Sequence, residues 1–109
     1  MWTVRYLPEA EAERSALPAA ERVAIQHAIE KLQALGPRLS FPHPADARAS
    51  ARCRELRPRA GRCPWRPLYT RAGQAFVIAA IAPDGETDPR GFARACAEAD
   101  ERLAKLEDG

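Results

Sequence analysis

Long apolar runs are absent from this chain of 109 residues. None approaches the roughly 20 consecutive apolar residues that a membrane-spanning helix needs. The N-terminal stretch MWTVRYLPEAE also lacks the basic, apolar and small-residue regions that follow one another in a signal peptide. We therefore expect a cytoplasmic protein, and the length predicts one small domain over residues 1–109.

Residues that form disulfides or bind metals are scarce. The three cysteines, Cys53, Cys63 and Cys96, form no CxxC pair, and the two histidines, His27 and His43, are far apart in sequence. This pattern predicts neither a disulfide framework nor a metal site, and it indicates no cofactor. We expect the cysteines to be small, semi-buried residues of a reduced protein.

Lysine is also rare, because only Lys31 and Lys105 are lysines among the 17 basic residues. The arginines are concentrated in residues 48–71, where eight basic residues and one acid give a local charge of +7. Residues 1–47 carry −1 and residues 72–109 carry −4. Arginine offers forked, permanently charged donors that suit phosphate. The segment therefore predicts a polyanion-binding surface, the alternative being a solvated face with nonspecific affinity.

The apolar pattern of the first half predicts a strand followed by two helices. Residues 2–6 alternate apolar and polar types, and Pro8 fits the first turn of a short helix. A longer helix is predicted from Pro18 to Leu35, because apolar residues recur there at spacings of three and four. Residues 37–50 contain three prolines and predict a loop, which we expect Phe41 to attach to the core.

The second half predicts three more strands and a helix. The strands cover residues 52–57, 65–70 and 75–82, and the last is apolar at both parities, as expected of an internal strand. Pro67, which lies inside the strand at residues 65–70, predicts a sheet edge or a bulge at that point. Asp88 and Pro89 are typical of a helix start, so a final helix is predicted to about Glu107.

Together these elements predict an α+β domain in the order β-α-α-β-β-β-α. The short gaps between the last three strands favour a small, mostly antiparallel sheet. We expect the two N-terminal helices to pack on one face of this sheet, with the C-terminal helix completing the fold. The arginine-rich hairpin would then present a concave exposed face.

Three sequence pieces carry a resemblance to a known family. They are the helix end KLQALGP, the RELRP strand at residues 54–58 and the WRPLY strand at residues 65–69. With the element order, they resemble the RelE/ParE superfamily of bacterial toxins, and within it the HigB-like, phage-derived branch of type II toxin-antitoxin systems. The resemblance covers nearly the whole chain. It implies a RelE-like fold, a toxin that cleaves messenger RNA on the ribosome, and an antitoxin partner encoded beside it.

The resemblance also implies the residues of the site. In such toxins, basic residues on the concave sheet face stabilise the phosphate as the neighbouring 2′-hydroxyl attacks it, and the matching positions here are Arg57 and Arg66. Trp65 or Tyr69 would stack a base, the alternative being that both are core aromatics. The remaining arginines of the hairpin would bind the RNA backbone. These are Arg52, Arg54, Arg59, Arg62 and Arg71.

The chain departs from the family pattern after its last strand. Family members often carry a basic stretch with a catalytic lysine or arginine there, whereas residues 83–88 of this chain are acidic. Arg90 is the nearest cation and becomes the third candidate catalytic residue. No histidine follows His43, so proton transfer would need a different group or the ribosome. The candidate groups are Glu55, Asp84, Glu86 and Tyr69.

Two other functions remain open for the same fold. The chain could act on a protein target such as DNA gyrase, as ParE-type members do, or it could be an inactive relative that forms a regulatory complex. An antitoxin would be expected to cover the groove around Arg57 and Arg66, because a local charge of +7 attracts an acidic segment.

Overall fold

A five-stranded mixed sheet forms the centre of the computed structural model, which describes residues 1–40, 43–47 and 49–108. The strands are β1 (Thr3–Tyr6), β2 (Pro44–Asp46), β3 (Arg54–Leu56), β4 (Trp65–Ala72) and β5 (Ala75–Pro83). Their order across the sheet is β1-β5-β4-β3-β2. β1 runs parallel to β5, and the other neighbours are antiparallel. The expected attachment of Phe41 to the core falls outside the described residues.

Three helices cover the sheet: α1 (Pro8–Ser15), α2 (Ala19–Leu35) and α3 (Pro89–Asp108). The predicted α+β fold is confirmed, with α1 and α2 on one face. The prediction of a plain loop over residues 37–50 is wrong, because β2 lies within it and pairs Ala45 with Glu55 of β3. Pro44 is compatible with this strand because β2 is at the sheet edge, where a missing N–H is tolerated.

Two apolar layers, one on each face of the sheet, form the core. The first layer joins α1 and α2 to the sheet through residues such as Ile25, Leu32 and Leu56. The second lies between the sheet and α3 and includes Leu68 and Cys96. Alternating strand residues point to opposite faces, so this two-sided core explains why β5 is apolar at both parities.

β4 is an internal strand that has a strand neighbour on only one side at Pro67. Pairing with β3 reaches only Leu68 and Tyr69, whereas pairing with β5 runs along the whole of β4. The predicted edge is therefore confirmed at Pro67 itself, although β4 as a whole is an internal strand. The predicted bulge lies one residue further on, between Leu68 and Tyr69, where Ala79 of β5 is left out of the register.

Specific residues define the end of α2 and the start of α3. Gly36 follows α2 with a φ of +55°, and a Cβ there would lie 2.4 Å from Nε1 of Trp2. α3 begins as predicted, because Oδ1 of Asp88 accepts the N–H of Gly91 at 2.9 Å. Within the described part of the chain, no helix has both the length and the apolar character needed to cross a bilayer.

Candidate functional site

The strand pattern places two predicted site residues on one face of the sheet. Leu56 of β3 belongs to the first core layer and Cys53, the residue just before β3, belongs to the second, so Glu55 lies on the face that carries α3. In β4, Leu68 belongs to the second layer, and Arg66 precedes it by two residues. Arg66 and Glu55 therefore share a face and meet where β3 ends.

One carboxylate joins the two arginines that the family resemblance singled out. Nε of Arg57 donates to Oε1 of Glu55 at 2.7 Å. Nε of Arg66 lies 3.7 Å from the same oxygen. Arg57 and Arg66 thus converge on one point rather than pointing to opposite sides of the molecule.

Arg66 is a buried residue, with only 7% of its surface exposed. Its guanidinium group donates to the backbone carbonyls of Cys63, Trp65 and Gly61, the last at 3.0 Å from Nη2. The side chain of Arg57, by contrast, is 32% exposed. Because the N–H groups of Arg66 are largely used by the protein itself, Arg57 is the better placed of the two to bind an incoming anion.

A cleft of about 840 Å³, which we call the site cleft, is lined by Glu55, Arg57 and Arg66. Its walls are the connection from β3 to β4 and the turn from β5 to α3. Three arginines and four carboxylates carry its charge. They are Arg57, Arg62 and Arg66, with Asp46, Glu55, Asp84 and Glu86. The site cleft is therefore not the strongly positive hollow that the sequence predicts.

Asp84 shapes one wall of the site cleft. Its Oδ1 accepts the N–H of Thr87 at 2.9 Å and that of Glu86 at 3.1 Å, and its own N–H donates to the carbonyl of Pro64 at 2.9 Å. The hydrogen bond from the backbone of Thr87 is the main cause that lowers the pKa of Asp84. The carboxylate thus holds the turn together, which makes it a poor candidate for proton transfer.

Cys63 also lines the site cleft but is not suited to nucleophilic chemistry. Burial, assisted by the thiol's hydrogen bond to Oε2 of Glu21 at 3.1 Å, raises the pKa of Cys63 to about 11. The thiolate form needed for attack is therefore scarce at neutral pH.

Three of the other predicted RNA-binding arginines lie outside the site cleft, where Arg52, Arg54 and Arg71 together line a different cleft. Arg52 forms an ion pair with Glu107 of α3, and Nε of Arg54 lies 3.4 Å from Oδ1 of Asp46. The guanidinium of Arg71 lies 4.8 Å from the ring centre of Trp2. The predicted single patch is divided because alternate residues of a strand point to opposite faces. Among them only Arg62 joins Arg57 and Arg66 in the site cleft, and Arg59 lies outside it.

The predicted aromatic and C-terminal residues have mixed positions. Tyr69 is 4% exposed and packs edge-to-face against Phe76 with ring centres 5.6 Å apart, so it is a core residue that cannot stack a base. Trp65 is half-buried against the first core layer. Arg90 is exposed in the first turn of α3 and does not line the site cleft.

Phe92 is a cleft residue that the sequence reasoning missed. It is half-buried, follows the acidic turn and lines the site cleft opposite the β3–β4 connection. Phe92 also packs against the second core layer, and that core role hid its place in the cleft. Among the described residues, no three His, Cys, Asp or Glu side chains are grouped so that they could hold a metal ion.

The fold around this cleft is similar to a solved toxin structure. A mutant of the E. coli toxin RelE in the free state, with two arginines replaced by alanine, superimposes with a TM-score of 0.62 at 12% sequence identity. The match covers 89% of this chain and 95% of that one. The fold is therefore RelE-like. A comparison with curated protein sequences finds no significant match.

The sequence itself defines the family. Residues 12–84, more than half of the chain, match the family described as "Phage derived protein Gp49-like (DUF891)". The chain belongs to this phage-derived, Gp49-like family, and the matched range contains both arginines that pair with Glu55.

Proposed function

We propose that this chain is the toxin of a type II toxin-antitoxin system, of the HigB-like branch, and that it cleaves messenger RNA on the ribosome. The observation that carries the proposal is the convergence of Arg57 and Arg66 on Glu55 at the site cleft. A RelE-like fold and membership of the Gp49-like family support it. The cytoplasm, where the ribosomes are, would be its place of action.

Arg57 is the residue that we assign to the scissile phosphate. Attack at phosphorus spreads negative charge over the non-bridging oxygens, and a fixed guanidinium group stabilises that charge. The side chain of Arg57 is 32% exposed and lines the cleft. Its ion pair with Glu55 fixes its position before RNA arrives.

Arg66 acts through Glu55 as a positioning residue. Three backbone carbonyls hold its guanidinium group, so the group is rigid but has little capacity left for RNA. Its charge lies 3.7 Å from the carboxylate of Glu55 and keeps that side chain in the cleft wall. This assignment differs from the sequence-based expectation, in which Arg66 and Arg57 both stabilise the phosphate.

Glu55 is the proposed proton acceptor for the attacking 2′-hydroxyl. Of the other candidates, Tyr69 is buried in the core and Asp84 uses its oxygen in the turn. Glu86 is exposed on that turn, whereas Arg57 holds Glu55 in place. The 2′-oxygen then bonds to phosphorus and the bond from phosphorus to the 5′-oxygen breaks. The products are a 2′,3′-cyclic phosphate and a 5′-hydroxyl, whose proton comes from solvent or the ribosome.

Induction in cells with mapping of RNA ends tests this proposal. We expect cuts in translated messages that disappear when translation is blocked, and that are lost in Arg57→Ala and Glu55→Gln proteins that still fold. Arg5→Ala is the matched control, because Arg5 is exposed on β1, the edge strand of the sheet that lies far from β3. Intact messages during growth arrest by the unmodified protein would overturn the nuclease assignment.

A protein-binding role without RNA cleavage is the second candidate. It is favoured by the excess of carboxylates in the site cleft and by the pairing of Arg57 and Arg66 within the protein. A gyrase-directed toxin would reduce DNA supercoiling and leave messages intact. An inactive relative would cause no growth arrest.

The proposed partner is an antitoxin encoded beside this gene. We expect a segment of it to cover the mouth of the site cleft and to place one acidic side chain against Arg57, which is 32% exposed, since a matched charge pair there selects the partner. A complex in which this mouth stays open would mean that neutralisation works by another route.

A further inference from the structure

A second cleft lies beside the site cleft, between α2 and the turn that joins β3 to β4. Its volume is about 450 Å³. The charged and titratable residues that line it are His27, Glu30, Lys31, His43, Arg59 and Arg62. With neutral imidazoles its net charge is +2, whereas the site cleft, with three arginines and four carboxylates, carries −1. The second cleft is therefore the more attractive of the two for an anion.

The cations of the second cleft are not neutralised. Arg52, Arg54 and several other arginines each form an ion pair with a carboxylate. In the part of the chain that the structure describes, no carboxylate lies within ion-pair distance of Lys31, Arg59 or Arg62. An anion from outside could bind here without displacing an internal partner.

The backbone of the turn places these arginines. Arg59 and Ala60 both have a φ of 54°, and Gly61 follows with 95°, so the chain is left-handed over three residues. Nε of Arg62 donates to the carbonyl of Arg59 at 3.2 Å. This tight turn brings the Arg59 and Arg62 side chains to the face of α2 that presents His27 and Lys31.

The two clefts are physically connected. Arg62 lines both of them. The N–H of Arg57, in the site cleft, donates to the carbonyl of His43, in the second cleft, at 2.6 Å. A strand bound with one phosphate at Arg57 would thus meet further cations by passing over Arg62.

We propose that the second cleft is a binding site for the backbone of single-stranded RNA, holding a phosphate next to the one at Arg57. The inference rests on the proposed function and extends it from one phosphate to a binding path. Lys31 and Arg59 contact the phosphate, and Arg62 bridges the two clefts. The flat rings of His27 and His43 offer faces on which a base can stack, which favours RNA over an acidic peptide as the occupant.

Binding of 2′-O-methyl oligonucleotides, which lack the attacking hydroxyl, tests this without any cleavage. Fluorescence anisotropy would compare a dinucleotide with a hexanucleotide over a range of salt concentrations. For Lys31→Ala combined with Arg59→Ala, we expect hexanucleotide affinity to fall about tenfold and the salt slope to fall by roughly 0.7, the share of one phosphate that is no longer neutralised. A dinucleotide, whose single phosphate can move to Arg57 when the second cleft is weakened, should lose less affinity than the hexanucleotide.

The matched control is Lys105→Ala, an exposed lysine of α3 that pairs only with Glu101 among the described residues. Lys31→Gln alone gives a milder second variant, with about half the change in slope. Unchanged hexanucleotide affinity and slope in the double variant would overturn the proposal. If the double variant loses binding only to a polyglutamate peptide and keeps its RNA affinity, the occupant of the second cleft is an acidic partner and not RNA. Absence of RNA cleavage in cells would refute the proposed function, but it would not change the interpretation of this binding experiment.

Discussion

Arg66 and Glu55 face each other across the β3–β4 pair, with Nε and Oε1 3.7 Å apart and both side chains at most 10% exposed. Burying two charges costs solvation, and the cost is recovered only when hydrogen bonds complete the pair. Here three backbone carbonyls bind Arg66, and Arg57 binds Glu55. The pair therefore links the stability of the fold to the geometry of the site.

Removing the charge of Glu55 should destabilise the protein. Glu55→Gln leaves Arg66 buried without its carboxylate, and we expect the free energy of unfolding to fall by about 2 kcal/mol. Urea unfolding measures this. Glu86→Gln changes an exposed carboxylate of the same cleft and should shift stability by less than about 0.5 kcal/mol. Equal stability of the two variants would contradict the structural role of Glu55.

Arg102 and Glu13 stabilise β5 where β1 has ended. Oε1 of Glu13 accepts the N–H of Ile81 at 3.1 Å, and Nη1 of Arg102 donates to the carbonyl of Ala79 at 2.9 Å. These side chains take the place of a strand neighbour, and they also pair with each other at 2.9 Å.

Arg102→Ala should therefore lower the free energy of unfolding by about 2 kcal/mol, because the carbonyl of Ala79 and the carboxylate of Glu13 lose a donor. Lys105→Ala, one turn along the same helix face, is the control and should cost less than about 0.5 kcal/mol. Chemical unfolding of both variants provides the comparison. A similar small change in both would show that Arg102 is not needed at this edge.

The hydroxyl of Tyr6 is buried and has no hydrogen-bond partner among the described residues. Burial raises the pKa of this group to about 12. Tyr6→Phe keeps the ring beside Arg14 and removes the unsatisfied oxygen, so stability should stay the same or rise by up to about 1 kcal/mol. Thermal unfolding tests this, and a loss of more than about 1 kcal/mol would reveal a partner for the hydroxyl.

Acid should weaken the fold through Asp84 and Glu11. Backbone hydrogen bonds lower the pKa of Asp84, and a hydrogen bond from Arg14 lowers the pKa of Glu11. A carboxyl whose pKa is lower in the folded state stabilises the fold above its unfolded pKa, and this stabilisation is lost as pH falls through the folded pKa. Melting temperatures between about pH 5 and pH 2 should therefore fall less steeply in Asp84→Asn than in the unmodified chain. Parallel curves would contradict this.

The apolar pattern was enough to predict the fold because apolar residues at helical spacing formed the buried face of each long helix. Ile25, Ile29 and Leu32 of α2 are buried as their spacing indicates. The prediction of burial is wrong near the helix ends, where Leu35 and Leu106 are exposed. β2 was missed because a three-residue edge strand that begins with a proline has no periodic pattern to detect.

The site was only partly predictable, because strand parity and contacts between distant residues decide it. Arg57 and Arg66 were identified from short motifs, but nothing local shows that Arg66 is enclosed by its own turn. The meeting of the Asp84 turn with the β3–β4 connection joins residues that are far apart in sequence. The sequence separated the basic hairpin from the acidic turn, whereas the fold places both around one cleft.

Single-turnover cleavage of messenger RNA on programmed ribosomes shows whether the chain is a nuclease that depends on Arg57. With purified protein, we expect cuts that end in a 2′,3′-cyclic phosphate and a rate that falls about 100-fold or more in Arg57→Ala, while Arg5→Ala keeps the original rate. No cleavage by the unmodified protein, or an unchanged rate in Arg57→Ala, would contradict this expectation.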